Sequence, residues 1–128
     1  MNEQEFKART KCVALRVIKM TETLPNGRAA DVLSRQLLRS ATSVGANYRA
    51  ACRSRSTADM ISRLSIAEEE ADESIYWIEL LTDAGFVAQK KVAPLTDEIE
   101  EILRMTVASI KTLRRRPIQN PKSKIQNA

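Results

Sequence analysis

Arginine side chains recur on one face of a single helix-length segment, and they are the residues whose spacing most clearly suggests binding chemistry. At 3.6 residues per turn they fall within an arc of roughly 80°. The set is Arg28, Arg35, Arg39, Arg49 and Arg53. A guanidinium is always charged and presents a fixed fork of N–H donors. Such a row of arginines faces water, phosphates, or the carboxylates of a neighbouring element or subunit.

The C-terminal region is a second basic group. Residues 111–124 contain no Asp or Glu and carry the basic side chains Arg114, Arg115, Arg116, Lys122 and Lys124. Flexible basic arms contact phosphate backbones by counterion release without reading sequence. A solvated chain end or an anionic protein partner would explain the same composition. The helix arginines and these five residues together form the predicted nucleic-acid-binding set.

Catalytic chemistry has little support in this sequence. The chain has no histidine, which excludes Ser-His-Asp triads, Cys-His pairs and histidine metal ligands. Cys12 and Cys52 lie in apolar helix patterns and are expected to be reduced and buried. The acidic run over residues 68–73 spreads around a helix rather than converging, which favours a solvated or arginine-paired face over a metal site. We therefore expect no enzyme activity, no cofactor and no metal.

Four amphipathic segments position these charges. With 128 residues, three glycines and an apolar fraction rich in Ala, Leu and Ile, the chain fits one all-α domain. Breaks fall at residues 24–27, 54–57 and 84–91. Ser56 or Thr57 is placed to cap the third helix, Gly85 suits the left-handed position after it, and Pro94 fits the first turn of the fourth. Short connections predict an antiparallel up-down-up-down four-helix bundle over residues 1–113, followed by a disordered basic tail over residues 114–128.

Charge is divided sharply between segments of the chain. Residues 1–57 hold 11 Lys/Arg and 4 Asp/Glu, residues 58–110 hold 4 and 12, and residues 111–128 hold 6 and none. The first two helices are therefore basic and the last two acidic. The overall net charge of +5 conceals this division.

The third helix carries a second seam besides its broad core stripe. The seam steps by four, three, four and three residues through Ile66, Glu70, Glu73, Trp77 and Leu80. This spacing is typical of a helix packed on a partner, and a large aromatic side chain is a common interface anchor. We predict a subunit interface in which Glu70 and Glu73 meet arginines of an adjacent subunit. The alternative is that Trp77 and Leu80 lie under the loop between helices 3 and 4 of their own chain.

Small residues fill the middle of the second helix over residues 40–47. Gly45 costs on the order of 1 kcal/mol relative to alanine inside a helix, so it indicates a packing requirement there. Asn47 is expected to bond to a neighbouring backbone group.

The same stretch carries a family resemblance. Gln36, Arg39, Ala41, Ser43 and Asn47, together with the segments at residues 66–69, 77–81 and 85–86, resemble the four-helix-bundle family of 23S rRNA intervening-sequence proteins over residues 5–113. The resemblance implies a cytoplasmic bacterial protein that forms a ring-like homopentamer and has no enzymatic activity. Many family members continue after the asparagine with Ile-Ala-Glu-Gly. Here residues 48–51 read Tyr-Arg-Ala-Ala, so an acidic position is replaced and a basic one is introduced.

Two functions follow as hypotheses. The first is a non-enzymatic oligomeric bundle that binds rRNA or another RNA or DNA through its basic surfaces. The second is a protein-interaction scaffold whose charges serve oligomer assembly and an acidic partner. The longest apolar runs are only a few residues and the N-terminus lacks a hydrophobic signal core, so we expect a soluble, cytoplasmic protein with no membrane association.

Overall fold

The computed structural model describes residues 1–116, which form four helices. These are α1 (Glu3–Thr21), α2 (Arg28–Cys52), α3 (Thr57–Asp83) and α4 (Gln89–Arg115). Each helix packs against the next along the chain, and α1 also touches α4. The predicted all-α four-helix bundle is confirmed.

Helix ends follow local sequence signals. At the start of α1, the Asn2 side chain accepts a bond from the backbone N–H of Glu5 at 2.8 Å, and the Glu5 carboxylate accepts one from Asn2 at 3.0 Å. Ser56 caps α3 by accepting a bond from the backbone N–H of Asp59 at 3.0 Å. Gly85 has φ +80° just after α3, in the left-handed region that glycine adopts without strain. The signals predicted at Ser56 and Gly85 are both confirmed.

The start of α4 differs from the prediction. The helix begins at Gln89, so Pro94 is its sixth residue and lies in the second turn rather than the first. The additional turn forms because Val92 and Leu95 are both buried against the bundle, and this burial offsets the backbone hydrogen bond that a proline cannot make. The acidic residues that follow Pro94 are accordingly too far along the helix to cap it.

The core is divided between two levels of the bundle. The main cluster is contributed by all four helices and includes Phe6, Leu37, Ile78 and Ile99. A second cluster, formed by Ala51, Leu64, Ile110 and Leu113, involves only α2, α3 and α4. Helix α1 is the shortest of the four. The buried residues of this second cluster therefore come from α2, α3 and α4, without a contribution from α1.

Small residues allow close packing on both sides of α2. The hydroxyls of Ser40 and Ser74 lie 2.8 Å apart across the α2–α3 interface, and both residues are 0% exposed. On the other side, a Cβ added at Gly45 would lie 3.1 Å from Oγ1 of Thr10 in α1. The packing requirement predicted at Gly45 is thus confirmed. Asn47 donates to the carbonyl of Ser43 at 2.9 Å, as expected.

The end of α4 lies beyond the predicted domain boundary. Arg114 and Arg115 form its last turn, so they extend the bundle two residues past residue 113 rather than opening a tail. Arg116 adopts extended backbone with ψ 137°, the conformation favoured immediately before a proline such as Pro117. The remaining part of the predicted tail, with Lys122 and Lys124, lies outside the described residues.

Cysteine burial was predicted wrongly for one of the two positions. Cys12 is exposed, whereas Cys52 is partly buried. Cys12 precedes the buried Val13 and is rotated by one residue, about 100°, from the core stripe of α1. Within residues 1–116, no helix carries an apolar stretch long enough to span a membrane.

Candidate nucleic-acid interface

The arginines of α2 occupy the outer face of the bundle, as predicted. All five are exposed, while Leu37, Ala41 and Val44 are buried on the opposite side of the helix. Their partners, however, divide them into two groups. In one group a carboxylate of the same chain pairs with the guanidinium, and in the other group no carboxylate within residues 1–116 does so.

Arg39 and Arg35 are neutralised within the chain. Arg39 donates to both carboxylate oxygens of Glu70 at 3.1 and 3.2 Å and to Glu73 at 2.6 Å. These carboxylates, Glu70 first, raise the pKa of Arg39 above its ordinary value. Arg35 pairs with Asp31 one turn earlier in α2. Glu70 and Glu73 therefore meet an arginine of their own chain rather than one of an adjacent subunit, because the tight α2–α3 packing brings that arginine within reach.

Arg28, Arg49 and Arg53 form the second group. No carboxylate among residues 1–116 forms an ion pair with any of them. Arg28 is the first residue of α2, where the positive end of the helix dipole disfavours a cation. This placement therefore costs helix stability.

A basic groove runs between α1 and α2, with a volume of about 570 Å³. Its cationic lining residues are Lys7, Lys11 and Arg49, and none of its described lining residues is acidic. Lys7 is held at the rim by Glu3 at 2.8 Å, an ion pair that lowers the pKa of Glu3. Lys11 and Arg49 have no such partner within residues 1–116.

Small residues shape the rest of this basic groove. Its other lining residues are Gln4, Ala8, Thr10, Ala14, Thr42, Gly45 and Ala46. Because most of these side chains are short, the two helices approach closely and the long cationic side chains rise from either side of a shallow floor. Of the five predicted α2 arginines, only Arg49 belongs to this groove. The contribution of α1 was not predicted from the sequence, because Lys7 and Lys11 are only two cations, four positions apart, and do not form a longer row.

The groove between α3 and α4 has the opposite charge. It has a volume of about 300 Å³ and is lined by Glu79, Asp97 and Glu100, with no cation among its described lining residues. Since helices pack in chain order around the bundle, the α1–α2 and α3–α4 grooves lie on opposite sides of it. The charge division seen along the sequence thus becomes a basic face and an acidic face.

Besides the Arg39 pairs between α2 and α3, a second group of interhelical ion pairs joins a basic helix to an acidic one. Arg9 of α1 makes a two-pronged contact with Glu98 of α4, at 2.6 and 2.8 Å, and Glu101 lies 3.5 Å away. Arg9 lowers the pKa of the Glu98 carboxyl, and Glu98 in turn raises the pKa of Arg9. This pair was also missed, because its members are 89 residues apart in the sequence.

The seam on α3 lies partly against its own chain. Ile66, Trp77 and Leu80 are half-buried, and Trp77 packs against the main core. Within residues 1–116 the indole N–H of Trp77 is buried without a hydrogen-bond partner. Tyr76, whose ring centroid is 5.2 Å from that of Trp77, remains 52% exposed. The aromatic surface that faces outward is therefore Tyr76 rather than Trp77.

Basic residues also gather at the end of the bundle where α4 terminates. Arg114, Arg115 and Arg116 are exposed there. They lie at the same end as Arg53, because Ala51 and Leu113 share one core cluster. The structure thus brings part of the predicted C-terminal set close to the end of the α2 arginine row.

Fold and surface together define a small four-helix bundle with one basic and one acidic groove, and comparison with known proteins assigns it to a family. The sequence model of the 23S rRNA-intervening sequence protein family matches residues 3–108, so the chain belongs to that family. It is also similar to a crystal structure of a protein of unknown function from the S23 ribosomal protein family of Bacteroides thetaiotaomicron VPI-5482. The TM-score is 0.80 at 34% identity, over 87% of this chain and 99% of that one. A search of curated proteins finds no match.

Proposed function

We propose that this protein is a non-enzymatic, oligomeric bundle that binds RNA or DNA through the basic face formed by α1 and α2. The observation that carries the proposal is that three of the five predicted arginines, Arg28, Arg49 and Arg53, are exposed and form no ion pair with a carboxylate within residues 1–116. The absence of histidine from the sequence supports a binding role over acid–base catalysis. The family's name supports a link to rRNA, and cytoplasmic residence is part of the proposal.

Self-association strengthens such a surface. The resemblance to intervening-sequence proteins implies a homopentamer, and we include that assembly in the proposal. Repeating a weak phosphate-binding face around a ring raises the effective concentration of the second and later contacts. The expected binding is steeply salt-dependent and shows little sequence preference.

A matched pair of charge reversals tests the proposal. We compare Arg28→Glu/Arg53→Glu with Lys90→Glu/Lys91→Glu, which changes the net charge equally at exposed positions of α4. Fluorescence anisotropy with a labelled RNA hairpin measures the affinity. We expect the α2 variant to lose at least tenfold in affinity and the α4 variant to lose much less. If both variants lose affinity equally, net charge and not the α2 face determines binding. If the wild-type protein does not bind the RNA hairpin at 50 mM KCl, the proposal is refuted.

The contribution of the C-terminal residues needs a truncation that spares the core. Leu113 is buried, so the shortened chain must end after it, and Arg116 is a suitable last residue. Chain 1–116 lacks Lys122 and Lys124 but retains the bundle. A drop in affinity without loss of thermal stability would assign part of the binding to residues 117–128.

A protein-interaction scaffold is the second candidate function, and the exposed Tyr76 beside Trp77 is the observation that favours it. Under this hypothesis two subunits pack together along the α3 seam of Ile66, Trp77 and Leu80, and the exposed ring of Tyr76 makes the main contact between them. Light scattering of Tyr76→Glu would then show a smaller particle. If that variant stays oligomeric and still binds RNA, the scaffold hypothesis loses its support.

A further inference from the structure

We propose that the groove between α1 and α2 is a track for one phosphodiester backbone, recognised by charge and without contact to bases. This inference rests on the proposed nucleic-acid binding and specifies where and how it occurs. It assigns a binding role to Lys11, which lies outside the predicted arginine row, and it joins Lys11 with Arg49 across two helices.

Charge identifies the occupant of this groove. Lys11 on α1 and Arg49 on α2 line it from opposite sides, without carboxylate partners within residues 1–116. The threonine hydroxyls that line it are already engaged. Thr10 donates to the carbonyl of Lys7 at 3.0 Å, and Thr42 donates to that of Leu38 at 2.7 Å. Ligand contacts therefore fall to the cations and to the amide of Gln4, and the natural partner of the cations is a chain of regularly spaced negative charges.

The floor of the groove explains why bases are not read. Ala8, Ala14, Gly45 and Ala46 present no group that reaches a base edge, Gln4 is the one side-chain amide among the described lining residues, and no aromatic ring appears among them. Proteins that prefer single strands stack bases on aromatic side chains. Without that platform, a double-stranded RNA should bind at least as tightly as a single strand of the same length, because it presents phosphates at higher density.

The main experiment reverses the two groove cations and an equal number of control cations. The groove variant is Lys11→Glu/Arg49→Glu, and the control is Arg63→Glu/Arg104→Glu, at exposed positions on α3 and α4. Removing two phosphate-binding cations at 0.1 M salt corresponds to roughly a 60-fold drop in affinity, from a slope of about −0.9 per neutralised phosphate. We expect a 10- to 60-fold loss for the groove variant with a 20-base-pair RNA, and at most a threefold loss for the control.

A second variant leaves every cation in place. Ala46→Glu puts a carboxylate into the groove at an exposed helical position, and Ala108→Glu makes the same change on α4. Circular dichroism establishes that both are folded.

If Ala46→Glu and the groove variant bind RNA like wild type while Arg28→Glu/Arg53→Glu fails to bind, the track is wrong but nucleic-acid binding stands. If a single-stranded RNA binds tenfold tighter than the duplex, recognition by backbone charge alone is wrong. If the wild type binds no RNA, the proposed function itself fails.

Discussion

Replacing Gly45 by alanine should reveal how tightly α1 is pressed against α2 at the floor of the basic groove. In an unobstructed helix the change stabilises by about 1 kcal/mol, since alanine has the higher helix propensity. Here the new methyl group would lie 3.1 Å from Oγ1 and 3.4 Å from Cβ of Thr10. Thr10 is only 1% exposed, and its hydroxyl is tied to the carbonyl of Lys7, so it has little room to move. Overpacking of this kind costs about 1–3 kcal/mol.

The expected net effect of Gly45→Ala is therefore a destabilisation of roughly 0–2 kcal/mol. In a Thr10→Ala background the nearest atom is absent, and the same change should stabilise by about 1 kcal/mol. Urea unfolding of the wild type, both single variants and the double variant measures this cycle. A coupling near zero, with Gly45→Ala having the same sign and size in both backgrounds, would refute the close α1–α2 packing.

Three further predictions concern charge and exposure. Glu98→Gln should destabilise by about 1 kcal/mol at neutral pH through loss of the Arg9 pair. Because pairing lowers the folded-state pKa of Glu98, this stabilisation is present above the ordinary pKa value of 4.5 and is lost as the pH falls below it. Urea unfolding at pH 7 and pH 3 measures the difference in free energy of unfolding between wild type and Glu98→Gln. A difference that is the same at both pH values would contradict the pairing. Arg28→Glu should stabilise α2 by about 1 kcal/mol while weakening RNA binding. Thermal unfolding measures the stability and fluorescence anisotropy the affinity, and a change of both in the same direction would contradict the prediction. A thiol reagent should modify Cys12 in the folded protein faster than Cys52, and equal rates would contradict their different exposure.

Local sequence signals predicted the helices well. Ser56 marked the start of α3, Gly85 its end, and Gly45 a close helix approach, because each of these signals acts within a few residues of itself. Pro94 misled the prediction for α4, since burial of Val92 and Leu95 drew one more turn into the helix than the proline suggested. Burial of apolar side chains can thus outweigh the low helix propensity of a single proline.

The functional surface was less accessible from the sequence. The arginine face of α2 was placed correctly, but whether Arg39 is free of a carboxylate partner depends on a contact between helices. Arg39 is paired with carboxylates of α3 in the same chain, and Arg9, on α1, is paired with Glu98 of α4. The contribution of Lys11 to the groove requires knowing which side of α1 faces α2. Such pairings depend on the relative rotation of helices, which periodicity within one helix does not specify.

The most direct test of nucleic-acid binding by the α1–α2 face is the slope of log affinity against log salt concentration for a duplex RNA. We predict a clearly negative slope for the wild type. For Lys11→Gln/Arg49→Gln the slope should be less negative by about 1.8, because each of the two removed cations neutralises one phosphate and accounts for about 0.9 of the slope. A wild-type slope near zero, or one that is unchanged in the double variant, would contradict the role assigned to this face.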